Sequence, residues 1–323
     1  MTVEMTTTDP LSRLDPEIAE FVRRSDAAGA GSPALGDVPP AVSRKAAELA
    51  RAQWYEGGPG MAEILDMDVP TSYGPIHIRI YKPKEIRGSG CFVYLPGGGW
   101  ALFSTITHDR LMREYAARTG MIVIGVDYTR APEVRFPRPV EEVDDVLGWL
   151  FDHAGELGFS ADQVALGGDS AGGNLVAACC ICRRDEGRKL PACTVYNYGS
   201  FDMGEFKSSV LKYGGGAYLL GSHEMLWFKM NYFNTAEEML HPWASPLRAA
   251  KTGLPATFMA IAEFDPLYDD NLAWAKALRD TGVDVTAVVY PGTVHSFLEA
   301  MSIAEVSRRA IAETSVWLSG MIA

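Results

Sequence analysis

Gln163-Val164-Ala165-Leu166-Gly167-Gly168-Asp169-Ser170-Ala171-Gly172-Gly173 says more about the architecture than any other stretch of the chain. Gln163–Gly167 is a short apolar run that reads as a strand, and Gly172–Arg188 has helix length. The segment between them fits Gly-x-Ser-x-Gly. It must turn sharply enough to hold a serine in a strained backbone conformation with its hydroxyl exposed. Small residues at 168 and 172 remove side chains that would collide across that turn. The motif alone is as often a mere glycine-rich turn. Its strand-to-helix setting makes Ser170 the candidate nucleophile.

Outward from that turn the rhythm repeats. Runs at Cys91–Leu95, Met121–Val126, Val164–Leu166, Cys193–Tyr196, Phe258–Ile261 and Val283–Tyr290 read as strands. Ile76–Tyr81 alternates apolar and polar residues, as in a strand with one buried face. Helix-length segments lie between most of these runs: His108–Thr119, Val140–Leu157, Gly172–Arg188 and Asp270–Thr281, with Ser302–Leu318 after the last strand. The alternation predicts an α/β class with a mostly parallel central sheet and helices on both faces. The first 55 residues read as helices instead. Asp15-Pro16 is an N-cap with proline at the first helical position, and Ile18, Phe21 and Val22 form an apolar face. After a Gly/Pro-rich breaker from Gly29 to Pro40, a second helix carries Val42, Ala46 and Leu49 on one side. Residues 201–245 hold no clear strand but carry Trp227, Phe228, Tyr232, Phe233 and Trp243 beside Gly214-Gly215-Gly216. Such an insertion reads either as a lid over a pocket or as a packed helical excursion.

A serine hydroxyl needs a base to take its proton. Of six histidines, His295 lies in a loop directly after the strand ending at Tyr290, at the carboxyl end of a parallel strand where open α/β sheets place their sites. A carboxylate must then hold the imidazole. Asp265 follows the strand Phe258–Ala262 and is pinned by Pro266; Glu263, Asp269 and Asp270 compete, the last two reading as the exposed start of a helix. Pro96-Gly97-Gly98-Gly99-Trp100 follows the strand Cys91–Leu95 and offers main-chain amides with no side chains in the way. Gly98 and Gly99, with the amide of Ala171, are the candidate oxyanion donors. The loop lacks the Gly-Lys-Ser/Thr ending of a phosphate loop.

Composition narrows the remaining classes. The chain has 323 residues, 47% hydrophobic and 22% charged, with 29 Lys+Arg against 41 Asp+Glu and a net charge of −12. A general deficit of cations argues against nucleic-acid binding. No apolar run approaches the roughly 18–20 residues that span a bilayer. Met1 to Asp9 lacks the basic flank and apolar core of a secretion signal, so a cytoplasmic protein is expected. The five cysteines are an odd count, and Cys179, Cys180 and Cys182 crowd one helical stretch. They read as small core residues rather than as disulfides or metal ligands. No cofactor and no metal are expected. Glu141, Glu142, Asp144 and Asp145 read as a solvated helix face.

Together these residues resemble the hormone-sensitive lipase family of α/β-hydrolases, in its Gly-Asp-Ser-Ala-Gly subgroup. The resemblance runs from about residue 75 onward. It rests on Gly97-Gly98-Gly99-Trp100, Thr107-His108-Asp109, Asp127-Tyr128, Arg130-Ala131-Pro132-Glu133, Phe136-Pro137, the serine turn, Ala244-Ser245-Pro246-Leu247, Asp265-Pro266-Leu267 and His295. The order Ser170, Asp265, His295 is that of an α/β-hydrolase. The resemblance implies an α/β-hydrolase fold with a helical cap: cap helices over 1–55, a catalytic domain over 56–200 and 246–323, and a cap insertion over 201–245. It implies hydrolysis of short-chain carboxylic esters or acetyl groups on a small-molecule substrate, and a homodimer through the sheet edge. Trp100, Asp169, Trp227 and Phe228 are substrate-binding candidates, although the aromatics at helical spacing fit a core equally well. Arg130 and Glu133 read as structural braces. One departure stands out: Pro96 occupies the place of the family's loop-opening histidine, and proline supplies neither an N–H nor a ring nitrogen to brace the loop. That departure keeps a second reading open, a lyase or cyclase on the same scaffold. A non-catalytic receptor is a third, set against the presence of His295.

Overall fold

The computed structural model describes residues 9–322, so Met1 to Thr8, counted above in the cap helices expected over 1–55 and in the reading of the N-terminus, lie outside the described residues. The strands are β1 (Glu63–Thr71), β2 (Gly74–Lys82), β3 (Cys91–Leu95), β4 (Ile122–Asp127), β5 (Val164–Asp169), β6 (Cys193–Asn197), β7 (Ala256–Phe264) and β8 (Val285–Val294). They form one sheet in the order β1-β2-β4-β3-β5-β6-β7-β8. β1, β2 and β4 pair antiparallel, and every pairing from β4 through β3 to β8 is parallel. The helices are α1 (Pro16–Gly29), α2 (Pro40–Tyr55), α3 (Asp109–Thr119), α4 (Arg138–Asp152), α5 (Ala154–Leu157), α6 (Ala171–Asp185), α7 (Ser208–Tyr213), α8 (Ser222–Tyr232), α9 (Tyr268–Arg279) and α10 (Glu305–Met321). None is long and apolar enough to cross a membrane.

Side-chain alternation feeds two apolar layers. On β3, Cys91, Val93 and Leu95 pack on one face with Leu147, Leu175 and Trp274, whereas Phe92 and Tyr94 point to the other, with Tyr115 and Ile311. Helices α4, α6 and α9 cover the first face, and α3 and α10 the second. β3 and β6 are therefore buried at every position, and their sequences are continuous apolar runs. All five cysteines are buried and unpaired.

Several expectations meet the structure differently. β1 has no counterpart in the strand reading, because Glu63, Asp66, Asp68 and Pro70 mask its period; an edge strand exposed on one side tolerates all four. The segment Val140–Leu157 is two helices, broken at His153 and ended by Gly158 in the left-handed region. Asp15 caps α1 as expected, accepting from the amides of Glu17 (2.9 Å) and Ile18 (3.3 Å). α2, however, turns its expected apolar side outward. Val42 and Leu49 are exposed, while Ser43 and Trp54 are buried. The acidic run on α4 is not a solvated face either. Glu142 is buried and accepts from the Thr129 amide (3.0 Å) and from Arg138 (2.8 Å), and Asp144 is buried against Arg183 (2.7 Å) and Arg188. Burial raises the Asp144 carboxyl, and the two guanidinium groups only partly offset this.

Candidate active site

β5 ends at Asp169 and α6 begins at Ala171, leaving Ser170 alone to make the turn, with φ 51° and ψ −117°. Such a conformation costs of order 1–3 kcal/mol and persists only where its surroundings over-determine it. Here they do. The Ser170 amide donates to the Asn197 carbonyl of β6 (2.9 Å), and the next turn of α6 packs directly beneath. A Cβ at Gly168 would stand 2.7 Å from both the Leu95 carbonyl oxygen and the Gly172 carbonyl carbon, and one at Gly172 would overlap the Leu95 carbonyl. Both glycines are required by close approach of backbone to backbone.

The strand β8 runs to Val294, so His295 follows it immediately. His295 Nε2 lies 2.9 Å from Ser170 Oγ, and its Nδ1 lies 2.8 Å from Asp265 Oδ2. An ionised carboxylate can only accept, so Nδ1 carries the proton and Nε2 is left to accept from the serine hydroxyl. The other Asp265 oxygen accepts from the Leu267 amide (2.8 Å), which fixes the carboxylate. The competing carboxylates are engaged elsewhere. Glu263 accepts from the Gly292 amide (2.8 Å), Asp269 from the Ser209 amide (2.8 Å), and Asp270 from the amides of Phe201 and Asp202. Asp270 is buried, not part of an exposed helix start.

Gly98 (φ 118°) and Gly99 (φ 58°) carry the loop after β3 past Ser170 in backbone conformations that favour glycine. Among the described residues no protein acceptor takes the amides of Gly98, Gly99 or Ala171. Pro96 does not leave this loop unbraced. Its carbonyl accepts from Tyr128 Oη (2.7 Å), and the Gly97 amide donates to Asp169 Oδ1 (3.0 Å). Asp169 is in turn held by Tyr94 Oη (3.0 Å) and by His108 Nε2 (3.2 Å). Burial pushes the Asp169 carboxyl up, but the charges of His108 and Arg51 and the Tyr94 hydrogen bond outweigh it and hold the group below its ordinary value. His108 thus reaches the loop only indirectly, through the Asp169 carboxylate that accepts from the Gly97 amide. Sequence reading marks His108 only as part of Thr107-His108-Asp109 and assigns it no role, because its partner lies 61 residues away.

Above Ser170 lies a cavity of about 290 Å³. Gly98, Gly99 and Trp100 line its floor with Ser170, while Phe21 and Trp54 come from α1 and α2, and Met225 and Phe228 from α8. Trp100 stacks on Tyr232 (4.5 Å between centroids, 1° between planes), which seats α8 on the glycine loop. Of the four candidate substrate contacts, Trp100, Asp169 and Phe228 line the cavity, and Asp169 spends its carboxylate on protein donors. Trp227 does not line it. One helical step from Phe228, its indole turns away and packs beside Gly36. Arg51 and Glu299 also line the cavity; both were missed, since a single arginine on a helix and a single glutamate after a loop carry no signal of their own.

A family profile described as alpha/beta hydrolase fold matches residues 92–299. An acetyl esterase of Salmonella dublin is 32% identical over 291 residues, covering 89% of this chain and 88% of that protein. A hyperthermophilic esterase of Pyrobaculum calidifontis superposes with a TM-score of 0.89 at 32% identity, covering 96% of this chain and 99% of that one. A thermostable carboxylesterase cloned from a metagenomic library superposes at 0.85 with 33% identity, over 88% of this chain and 98% of its own. With the glycine loop, the serine turn and this sheet order in one chain, the protein belongs to the α/β-hydrolase fold family, in its hormone-sensitive-lipase-like group.

Proposed function

We propose that the chain is a serine carboxylic ester hydrolase acting on short-chain esters, acetyl esters among them. The observation that carries this is the unbroken relay from Ser170 through His295 to Asp265, at 2.9 and 2.8 Å, opening on the floor of an apolar cavity. Ser170 Oγ attacks the ester carbonyl carbon as His295 Nε2 takes its proton. Asp265 stabilises the imidazolium without itself taking the proton. The amides of Gly98, Gly99 and Ala171 receive the oxyanion, the alcohol leaves with the proton from Nε2, and water then cleaves the acyl-enzyme by the same route. The Phe228 ring closes over Gly99 so tightly that a Cβ there would strike it, which supports a small acyl group.

The expected division fits this role. α1, α2 and the 201–245 insertion act as the cap, and the remainder as the catalytic domain. β8 ends the sheet, and Val285 to Val289 are only partly covered, which supports a homodimer through that edge. Five buried free thiols support a reducing, cytoplasmic setting. The test is hydrolysis of p-nitrophenyl acetate by Ser170→Ala. Turnover is expected to fall by at least about four orders of magnitude while thermal unfolding stays cooperative. Substantial turnover in a folded Ser170→Ala protein would overturn the reading.

A further inference from the structure

The cavity is apolar except for a few charged side chains, and most of these are occupied. Asp169 is held by Tyr94, His108 and the Gly97 amide. Lys229 donates to the Met203 carbonyl (2.9 Å), and Glu224 stands in the first turn of α8. Arg51 differs. It comes from the inward face of α2, its guanidinium lies 3.7 Å from the Phe103 ring centroid, and its Nε and one terminal nitrogen pair with Glu299. The side chains are 12% and 9% exposed, and both residues line the cavity. Among the described residues, Arg51 Nη1 donates to no protein acceptor. Glu299 sits four residues after His295, in the turn Phe297–Ser302, so this pair and the relay share one cavity.

The chemistry of the pair restricts what can lie against it. Arg51 and Glu299 offset each other, and Asp169, the other carboxylate acting on Arg51, is met by His108, so a free carboxylate or ammonium gains little attraction to one charge and meets repulsion from another. A plain alkyl group seated there would cut Nη1 off from water without giving it a partner, which is unfavourable. A neutral oxygen, whether hydroxyl, carbonyl or ether, accepts from Nη1 at no charge cost. Sites that hydrogen-bond a substrate group discriminate against its absence far more strongly than apolar sites discriminate against its presence. We infer that the Arg51–Glu299 pair is the polar end of the substrate site, and that it selects esters carrying a neutral oxygen function away from the scissile bond. This rests on the ester-hydrolase reading above.

The test compares near-isosteric esters within each protein, so that any general change in activity cancels. Hexyl acetate is paired with 5-hydroxypentyl acetate for the alcohol side, and ethyl hexanoate with ethyl 4-methoxybutanoate for the acyl side. In the unmodified enzyme, the oxygenated ester of at least one pair should have a kcat/KM equal to or above that of its alkyl partner. In Arg51→Met/Glu299→Leu, which removes both charges and strands neither, that ratio should fall at least tenfold. If that protein does not fold, Arg51→Lys keeps the charge but loses the forked donor, and must lower the same ratio at least threefold. A wild-type enzyme that disfavours the oxygenated ester in both pairs, or a ratio that survives the substitutions, overturns the inference and leaves ester hydrolysis standing. Hydrolysis of the same esters by folded Ser170→Ala overturns the reading beneath it instead.

Discussion

Gly172 shows how far one residue governs the chemistry. Its missing side chain lets the first turn of α6 lie against the Leu95 carbonyl at the end of β3, and that contact sets where Ser170 and the Ala171 amide stand. Gly172→Ala forces backbone against backbone, with no flexible side chain to yield. The expected outcome is a loss of about 1–3 kcal/mol in stability. A fall in kcat of roughly a hundredfold should accompany it, because small displacements of a reacting group are costly. Thermal unfolding and ester turnover check both, and a variant matching the wild type in each would contradict this account of the turn. At this scale the candidate site was legible where a motif marks it: Ser170, Asp265 and His295 were each expected from their place after a strand, and the structure places His295 2.9 Å from Ser170 and 2.8 Å from Asp265. It was illegible where the role depends on a neighbour distant in sequence. His108 reaches Asp169 across 61 residues and Arg51 reaches Glu299 across 248, and neither separation leaves a pattern. Glu142 and Asp144 misled for the same reason, since four acids on one helix look solvated until Thr129, Arg138 and Arg183 are brought to them.

Among the elements, α2 is the one whose docking decides whether the cavity is closed. It is anchored by Arg44, whose Nε donates to the Ala101 carbonyl (2.7 Å) and whose Nη2 donates to the Ala131 carbonyl (2.7 Å), with Glu133 beyond. Glu133 is 57% exposed, so its ion pair contributes little, of order 0–1 kcal/mol. The bonds to the two carbonyls are charge-assisted and partly shielded, and about 1.5–3 kcal/mol each is the usual range. Arg44→Ala should therefore loosen α2, raise KM several-fold with a smaller effect on kcat, and speed proteolysis in the 30–39 linker. Glu133→Gln should do almost none of this, and equal effects from the two would show that the ion pair, not the carbonyl clamp, holds the helix. The central strands and their helices were readable because burial on both faces makes them continuous apolar runs. α2 was not, because its inward face lines a cavity rather than a continuous core. Ala47, Ala50 and Trp54 are small or widely spaced along that face, whereas the more apolar Val42 and Leu49 face outward.

For the molecule as a whole, the start of the 201–245 segment is fastened to α9 by a buried acid. Asp270, on α9, accepts from the amides of Phe201 and Asp202, with Lys207, Lys229 and the Asp202 carboxylate nearby. Burial raises its carboxyl to about 7, against the lowering effect of the two amides and Lys207. In the unfolded chain the group titrates near its ordinary value of about 3.9. Between these limits the folded protein holds a proton that the unfolded chain has released, so this group's contribution to stability declines as pH rises from about 4 to 7. The chain's net charge of −12 adds a general repulsion that also grows with pH, so the slope of a single unfolding curve is not diagnostic. A difference between two proteins is. Asp270→Asn keeps an oxygen to accept the two amides but cannot ionise, and the repulsion is nearly common to both. The wild type should therefore lose ground to Asp270→Asn steadily between about pH 4 and pH 7, with the gap in melting temperature level on either side of that window. Parallel curves across that range would mean that Asp270 is already ionised at acid pH, and that the amides of Phe201 and Asp202 outweigh its burial.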